Sequence, residues 1–338
     1  MRIVSLLPSA TEICFALGAG DDVVGVTFEC DYPAAARTRR IVSTTALPAG
    51  LTPGEIDAVV RRKVAAGEDL YHLDAGALRE LEPDVVITQD LCAVCAIDVD
   101  DVSEALNYLG CQAEVVTTDP HTLDEVLDSI ETIAKAIDRD AALLVDALRA
   151  RLKRQPGWPA PRPDSSTPTV GAQAPTQPST PTAATPLVGV GRRGSEVGLR
   201  VGVGRRGSEV GHGVRVGLLE WTDPPFAPGH WLPEMVTLAG GTNVLGRAGA
   251  RSVAVTWEQV AAAEPEVIVS APCGFDLQGA ARLTTELMPR LPADVPVWAV
   301  DANGYFARPG PRLVDGIDVL AAVFRHDAPD PAIARRLR

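Results

Sequence analysis

Short apolar runs of strand length alternate with capped, helix-patterned stretches in two separate parts of this chain, and such alternation predicts parallel sheets covered by helices. In the first part, RIVSLLP (2–8), DVVGVT (22–27), IVS (41–43), DVVIT (84–88) and AEVVTT (113–118) read as strands. DVVIT carries an unbroken apolar run, as a strand buried on both faces requires. Between the strands, S-A-T-E at 9–12 has the form of a capping box, with Glu12 three residues after Ser9 and ahead of ICFAL; Gly18 and Gly20 then end that helix. T-P-G-E at 52–55 repeats the pattern before IDAVVRRKVAA, and DVSEALNYLG (101–110) supplies a further helix.

From Thr122 the chain keeps apolar positions at three and four spacing to Arg154, opening on a T-x-x-E cap, which predicts one long helix. A second α/β set follows: strand VRVGLLEW, helices HWLPEMVTLAG and WEQVAAAE, strands EVIVSAP and VPVWAVD, and a final helix PRLVDGIDVLAAVFR. The expected organisation is an N-terminal lobe over 1–121, a connecting helix over 122–154, a linker over 155–213 and a C-terminal lobe over 214–338. The linker assignment rests on composition. Residues 156–186 hold nine prolines among Ser, Thr, Ala and Gln, too little apolar mass to offset ordering entropy, and Trp158 is expected to pack on nothing there. VGVGRRGSEVGLR (188–200) is then repeated as VGVGRRGSEVGHG (201–213), two copies where a solenoid needs about three. Neither copy ends in Gly-Lys-Ser/Thr, so a phosphate loop is set aside.

At 338 residues and 46% hydrophobic composition the chain has enough material for two packed lobes, and no run approaches the ~18 apolar residues of a spanning helix. A net charge of −13 argues against nucleic acid as a partner. The N-terminus lacks the form of an export signal, which predicts a cytoplasmic protein as written, or a periplasmic or membrane-anchored one if the start lies upstream. The six cysteines are then expected as free thiols, with Cys14 and Cys111 in the core.

SLLPSATEI (5–13), ECDYP (29–33), LEPDVVIT (81–88), WTDPPFAPGHW (221–231), AGG (239–241) and RPGPRLVDG (308–316) occur in an order that resembles the substrate-binding proteins of cobalamin and iron-siderophore ABC importers. The resemblance covers about 1–154 and 214–326. It implies two Rossmann-like α/β lobes with parallel sheets joined by one backbone helix, a ligand in the cleft between lobes, and no catalysis. Lobe-tip acids of that family dock permease arginines; Glu258 in WEQV matches one such position, with Asp74 nearest the other. The resemblance also implies aromatic rings covering a corrin. The first lobe offers Glu29, Cys30 and Gln89 at such places, while the second keeps Trp221, Trp231, Tyr305 and Phe306.

Strand polarity points to the same cleft, since ligands on open parallel sheets sit beyond the carboxyl ends of the strands. Those ends carry Phe28, Glu29, Cys30 and Asp31, then Gln89, Asp90, Cys92 and Cys95; in the second lobe Asp223, Pro225, Phe226, His230 and Trp231, then Asn303, Tyr305, Phe306 and Arg308. Cys92-x-x-Cys95 admits several chemistries. A thiophilic ion such as zinc needs further ligands, for which Cys30, Glu29 and His230 are the candidates; a redox pair needs a helix N-terminus; otherwise the thiols line the cleft or pack the loop. Glu29 and Asp31 lack the partners of an acid–base or nucleophilic site. Two functions remain open: capture of a corrinoid or related metal chelate for an ABC importer, or a cytosolic metal-binding protein or enzyme on the same fold acting on a cofactor.

Overall fold

The computed structural model describes residues 1–89, 113–158 and 213–338. The first lobe holds β1 (Ile3–Ser5), α1 (Pro8–Ala16), β2 (Val23–Thr27), β3 (Arg40–Thr45), α2 (Pro53–Ala66), β4 (Tyr71–Leu73), α3 (Ala75–Leu81), β5 (Val85–Gln89) and β6 (Glu114–Thr118). Its sheet runs β4-β3-β2-β1-β5-β6, parallel throughout except between β3 and β4. Ile3, Val85 and Ile87 face one apolar cluster while Val4 and Val86 face another, so both sides of the central strands are covered. Burial on both faces is why these strands are written as continuous apolar runs.

The connecting run is two helices, α4 (Leu123–Ala136) and α5 (Ala142–Leu152), where the periodicity predicts one. The break is local chemistry. Asp138 takes a left-handed φ of 53°, the Arg139 amide donates back to the Ala134 carbonyl at 2.8 Å, and the Asp140 carboxylate then accepts from the Ala142 amide at 2.8 Å. This is a Schellman-type stop followed by a side-chain start, and apolar spacing carries no trace of either. Both capping boxes expected at Thr52–Glu55 and Thr122–Glu125 form, and a third closes between Thr256 and Gln259. The box expected at Ser9–Glu12 does not. Helix α1 begins at Pro8 with Leu7 as its cap, and Glu12 is turned into the protein interior instead.

In the second lobe β7 (Arg215–Leu219), β10 (Thr242–Asn243), β12 (Val267–Ser270), β13 (Val297–Val300) and β14 (Ala334–Arg336) form a sheet in the order β10-β7-β12-β13-β14, antiparallel only at β13–β14. A small antiparallel sheet of β8 (Trp221–Thr222), β9 (Pro225–Ala227) and β11 (Val253–Ala254) stands beside it. The helices are α6 (Leu232–Leu238), α7 (Trp257–Ala262), α8 (Leu277–Leu287), α9 (Ala302–Tyr305) and α10 (Leu313–Phe324). Strands β4, β8 to β11 and β14, and helices α3, α8 and α9, have no counterpart among the sequence expectations; most are only two to four residues long, too short for a period to register.

One apolar cluster takes in Ile3 and Ile13 of the first lobe, Leu127 and Ile130 of α4, Leu148 of α5, and Leu218, Met235 and Ile317 of the second lobe. Residues 155–158, expected to begin the linker, pack on the second lobe: Gln155 is buried and donates to Asp318 at 2.6 Å, and the Gly157 amide donates to the Leu238 carbonyl. At the other end of the gap Gly213 accepts from Thr242 Oγ1 at 3.2 Å. The chain thus leaves and re-enters beside the same turn, residues 238–242. The Pro-rich stretch from 159, the tandem repeat to 212 and the helix expected at 101–110 lie outside the described residues. Among the described residues no helix is long and apolar enough to cross a membrane.

Candidate functional site

The loop after β2 and the segment before α10 bring the two lobes together through charge. Arg308 donates to Asp31 at 2.5 Å, to Glu12 at 3.3 Å and to the Glu29 carbonyl at 3.0 Å. Arg312 donates from Nε to the same Glu12 carboxylate at 2.8 Å and from Nη2 to its other oxygen. The Arg312 guanidinium lies 4.0 Å from the Tyr32 ring centroid and 5.1 Å from that of Tyr305, so aromatic faces cover what the carboxylate does not. Glu12 is 4% exposed and Arg308 8%. Sequence reasoning assigned Arg308 to the ligand; the structure commits its guanidinium to first-lobe acceptors, making it an inter-lobe tie. Glu12 and Arg312, the partners that make the tie, were missed because a helical S-x-x-E reads as a cap.

Beside this tie lies a cleft of about 580 Å³, walled by Asp31 from the first lobe and by Phe275, Asp276, Gln278, Arg282 and Asn303, among others, from the second. Phe275 pairs with Trp221 at 5.8 Å between centroids, and Trp221 Nε1 donates to the Asp223 carbonyl, which fixes the indole. Phe275 and Asp276 follow β12, so the strand-end rule that selected the other loops would have found them had it been applied to EVIVSAP. Glu29 is half-buried beside Asp31; burial pushes its carboxyl above the ordinary value, with Arg308 working against that and Asp31 adding to it.

The remaining predicted residues separate by environment. Cys30 is buried, its Sγ 3.0 Å from Thr11 Oγ1, and burial pushes its thiol up to about 11. His230 has a left-handed φ of 50° and lies half-buried with its ring 5.4 Å from His121 and 5.8 Å from Trp231; burial first, then His121 and Arg251, lowers its pKa. Cys30 and His230 are two of the four expected zinc ligands, the other two, Cys92 and Cys95, lying outside the described residues; among the described residues no group of three ligating side chains is in place to hold a metal. Trp231 and Phe306 are also corrected: at 6% and 1% exposure they are core, with Trp231 Nε1 donating to the Phe306 carbonyl at 2.8 Å. Their apolar area is already spent inside the second lobe. Tyr305 and Phe226 are half-buried, and Gln89 is buried at the end of β5. Cys92, Cys95, Asp90 and Cys111 lie outside the described residues. Asp74 caps α3 by accepting from the Ala77 amide and stands 3.9 Å from Arg40, while Glu258 is in the exposed first turn of α7, where its bond with Thr256 lowers its pKa.

Two α/β lobes tied across a cleft, with paired helices connecting them, are the architecture of periplasmic binding proteins. Over 96% of both chains the structure is similar to the periplasmic vitamin B12 binding protein BtuF of Vibrio cholerae, with a TM-score of 0.54 and 20% identity. It is similar in the same way to a periplasmic heme binding protein of Pseudomonas aeruginosa, with a TM-score of 0.59 and 18% identity over 98% of this chain and 96% of that one. In sequence, 156 residues are 30% identical to the uncharacterized ABC transporter substrate-binding lipoprotein YvrC of Bacillus subtilis strain 168. That match spans 45% of this chain and 40% of the relative. No protein-family profile matches the chain. These three proteins are described as binding proteins.

Proposed function

We propose that the protein is the substrate-binding component of an ABC importer and that its interlobe cleft takes a metal-chelate ligand, a corrinoid in preference to a heme. The similarity in fold to vitamin B12 and heme binders, and in part of the sequence to an importer lipoprotein, supports the class. The observation that carries the finer reading is the lining of the cleft. Asp31, Asp276, Gln278 and Asn303 offer acceptors and amides against one cation, Arg282, with the ring of Phe275 among them. Such a wall hydrogen-bonds a neutral, amide-fringed ligand edge and repels ionised carboxylates, which a heme carries and a corrinoid amide does not. Trp221 and Phe275 supply the aromatic face, each ring being worth on the order of 150–250 Å² of contact area. Glu258 and Asp74, exposed on separate lobes, are proposed to meet the permease, and the cell-surface or periplasmic setting of the similar proteins favours an exported form of this one.

The test is titration of the purified protein with cyanocobalamin, cobinamide and hemin. Corrinoid binding below ~10 μM, about −7 kcal/mol, is the expected result, weakened at least tenfold by Phe275→Ala. Hemin binding with no corrinoid binding refutes the corrinoid assignment; failure of all three refutes the chelate class.

A further inference from the structure

A second contact joins the lobes, and it differs in kind from the Arg308 tie. The first turn of α2 meets the turn between β8 and β9: a β-carbon placed on Gly54 would lie 2.7 Å from the Asp223 carboxylate oxygen and 3.9 Å from the Asp223 β-carbon. Only a residue without a side chain admits the carboxylate this close to the helix start, where backbone amides present the positive end of the dipole. The β8–β9 turn is coupled to the cleft, because the Asp223 carbonyl holds Trp221 Nε1 and Trp221 packs at a tilt of 50° on Phe275, a residue of the cleft wall.

Helix α2 lies on the surface with both ends closed. None of its fourteen residues is buried, its N-terminus is closed by its own Thr52–Glu55 box, and its C-terminus by Gly67 in the left-handed conformation. An element with saturated ends and few buried contacts opens at low free-energy cost compared with the core around it. The Arg308–Glu12 tie, buried and charge-assisted, is the fixed side of the cleft; the contact of Gly54 with Asp223, which is exposed, is the yielding side.

We propose that the start of α2 and the β8–β9 turn form a reversible strap that closes beside the Trp221–Phe275 wall and gates passage of ligand, a proposal that rests on the interlobe cleft being the ligand site. The 3.9 Å β-carbon separation suits a disulfide, so the test is the double variant Gly54→Cys, Asp223→Cys, with the oxidised and reduced native chain as control for its own thiols. Oxidation of the variant should slow dissociation of preloaded cyanocobalamin at least tenfold and prevent its entry into the empty protein; unchanged rates in a fully cross-linked sample overturn the strap. Acrylamide quenching of Trp221, read as the difference from a Trp221→Phe version, decides the strap without ligand: at least twofold less quenching after cross-linking is expected, and equal quenching overturns it. Reduced variant that quenches as expected but takes up no corrinoid leaves the strap standing and removes the corrinoid assignment.

Discussion

Glu12→Gln separates two accounts of the same residue. As the third residue of a helical capping box its loss costs about 1 kcal/mol. As the carboxylate shared by Arg308 and Arg312, with 3% of its side chain exposed against 7% and 14% for theirs, it is a buried charge whose removal strands the Arg312 guanidinium, while Arg308 keeps Asp31 and the Glu29 carbonyl. Breaking such a pair costs ~3–5 kcal/mol, and the amide that replaces the carboxylate turns a donor toward donors. For a chain of this size that is a fall in Tm of about 4–7 °C. Arg308→Met should cost less, about 2 kcal/mol, because Glu12 keeps Arg312. In the double variant the costs should fall short of their sum by ~1 kcal/mol or more. As a surface reference, Asp327→Asn breaks the exposed Arg325 pair, 55% and 60% exposed, and should cost under ~1 kcal/mol. Urea unfolding of the native protein and the four variants measures all of this. A Glu12→Gln cost below ~1.5 kcal/mol, or additivity of the two changes, refutes the buried tie.

Glu29→Gln should stabilise the protein at pH 7 and match it near pH 4: the folded-state pKa is raised by burial, so the native carboxyl contributes fully below its unfolded value and loses stability as pH rises through the folded one; equal stability at both pH values would be contrary. His230 has the opposite sign. Its pKa is lowered, so the native protein should lose stability as pH falls below about 6.5, whereas His230→Asn, which keeps a residue tolerant of φ near 50°, should show a flatter profile by thermal scanning between pH 5 and 7.5. Replacing residues 159–212 by a six-residue Gly/Ser bridge shortens a closed loop whose ends meet at one turn, and loop-closure entropy then predicts a gain of about 2 kcal/mol. A large drop in Tm would mean that the excised segment is part of the packed structure.

What the sequence determined by itself was everything governed by neighbours along the chain. The principal strands announced themselves as runs such as DVVIT because sheets buried on two faces need no polar alternation, and Thr52–Glu55 and Thr122–Glu125 capped where their spacing said they would. The motif order carried the two-lobed fold, and strand polarity carried the cleft. The division of labour inside the cleft came only from tertiary packing. Whether Glu12 caps its own helix or reaches a guanidinium 296 residues away, whether Trp231 and Phe306 stack on a ligand or fill a core, and whether Arg308 greets a ligand or ties two lobes depend on what the other lobe brings within 3 or 4 Å. Local spacing fixes a side chain's position on its own element; its partner, and with it the energy and the role, is set by the approach of elements distant in the chain.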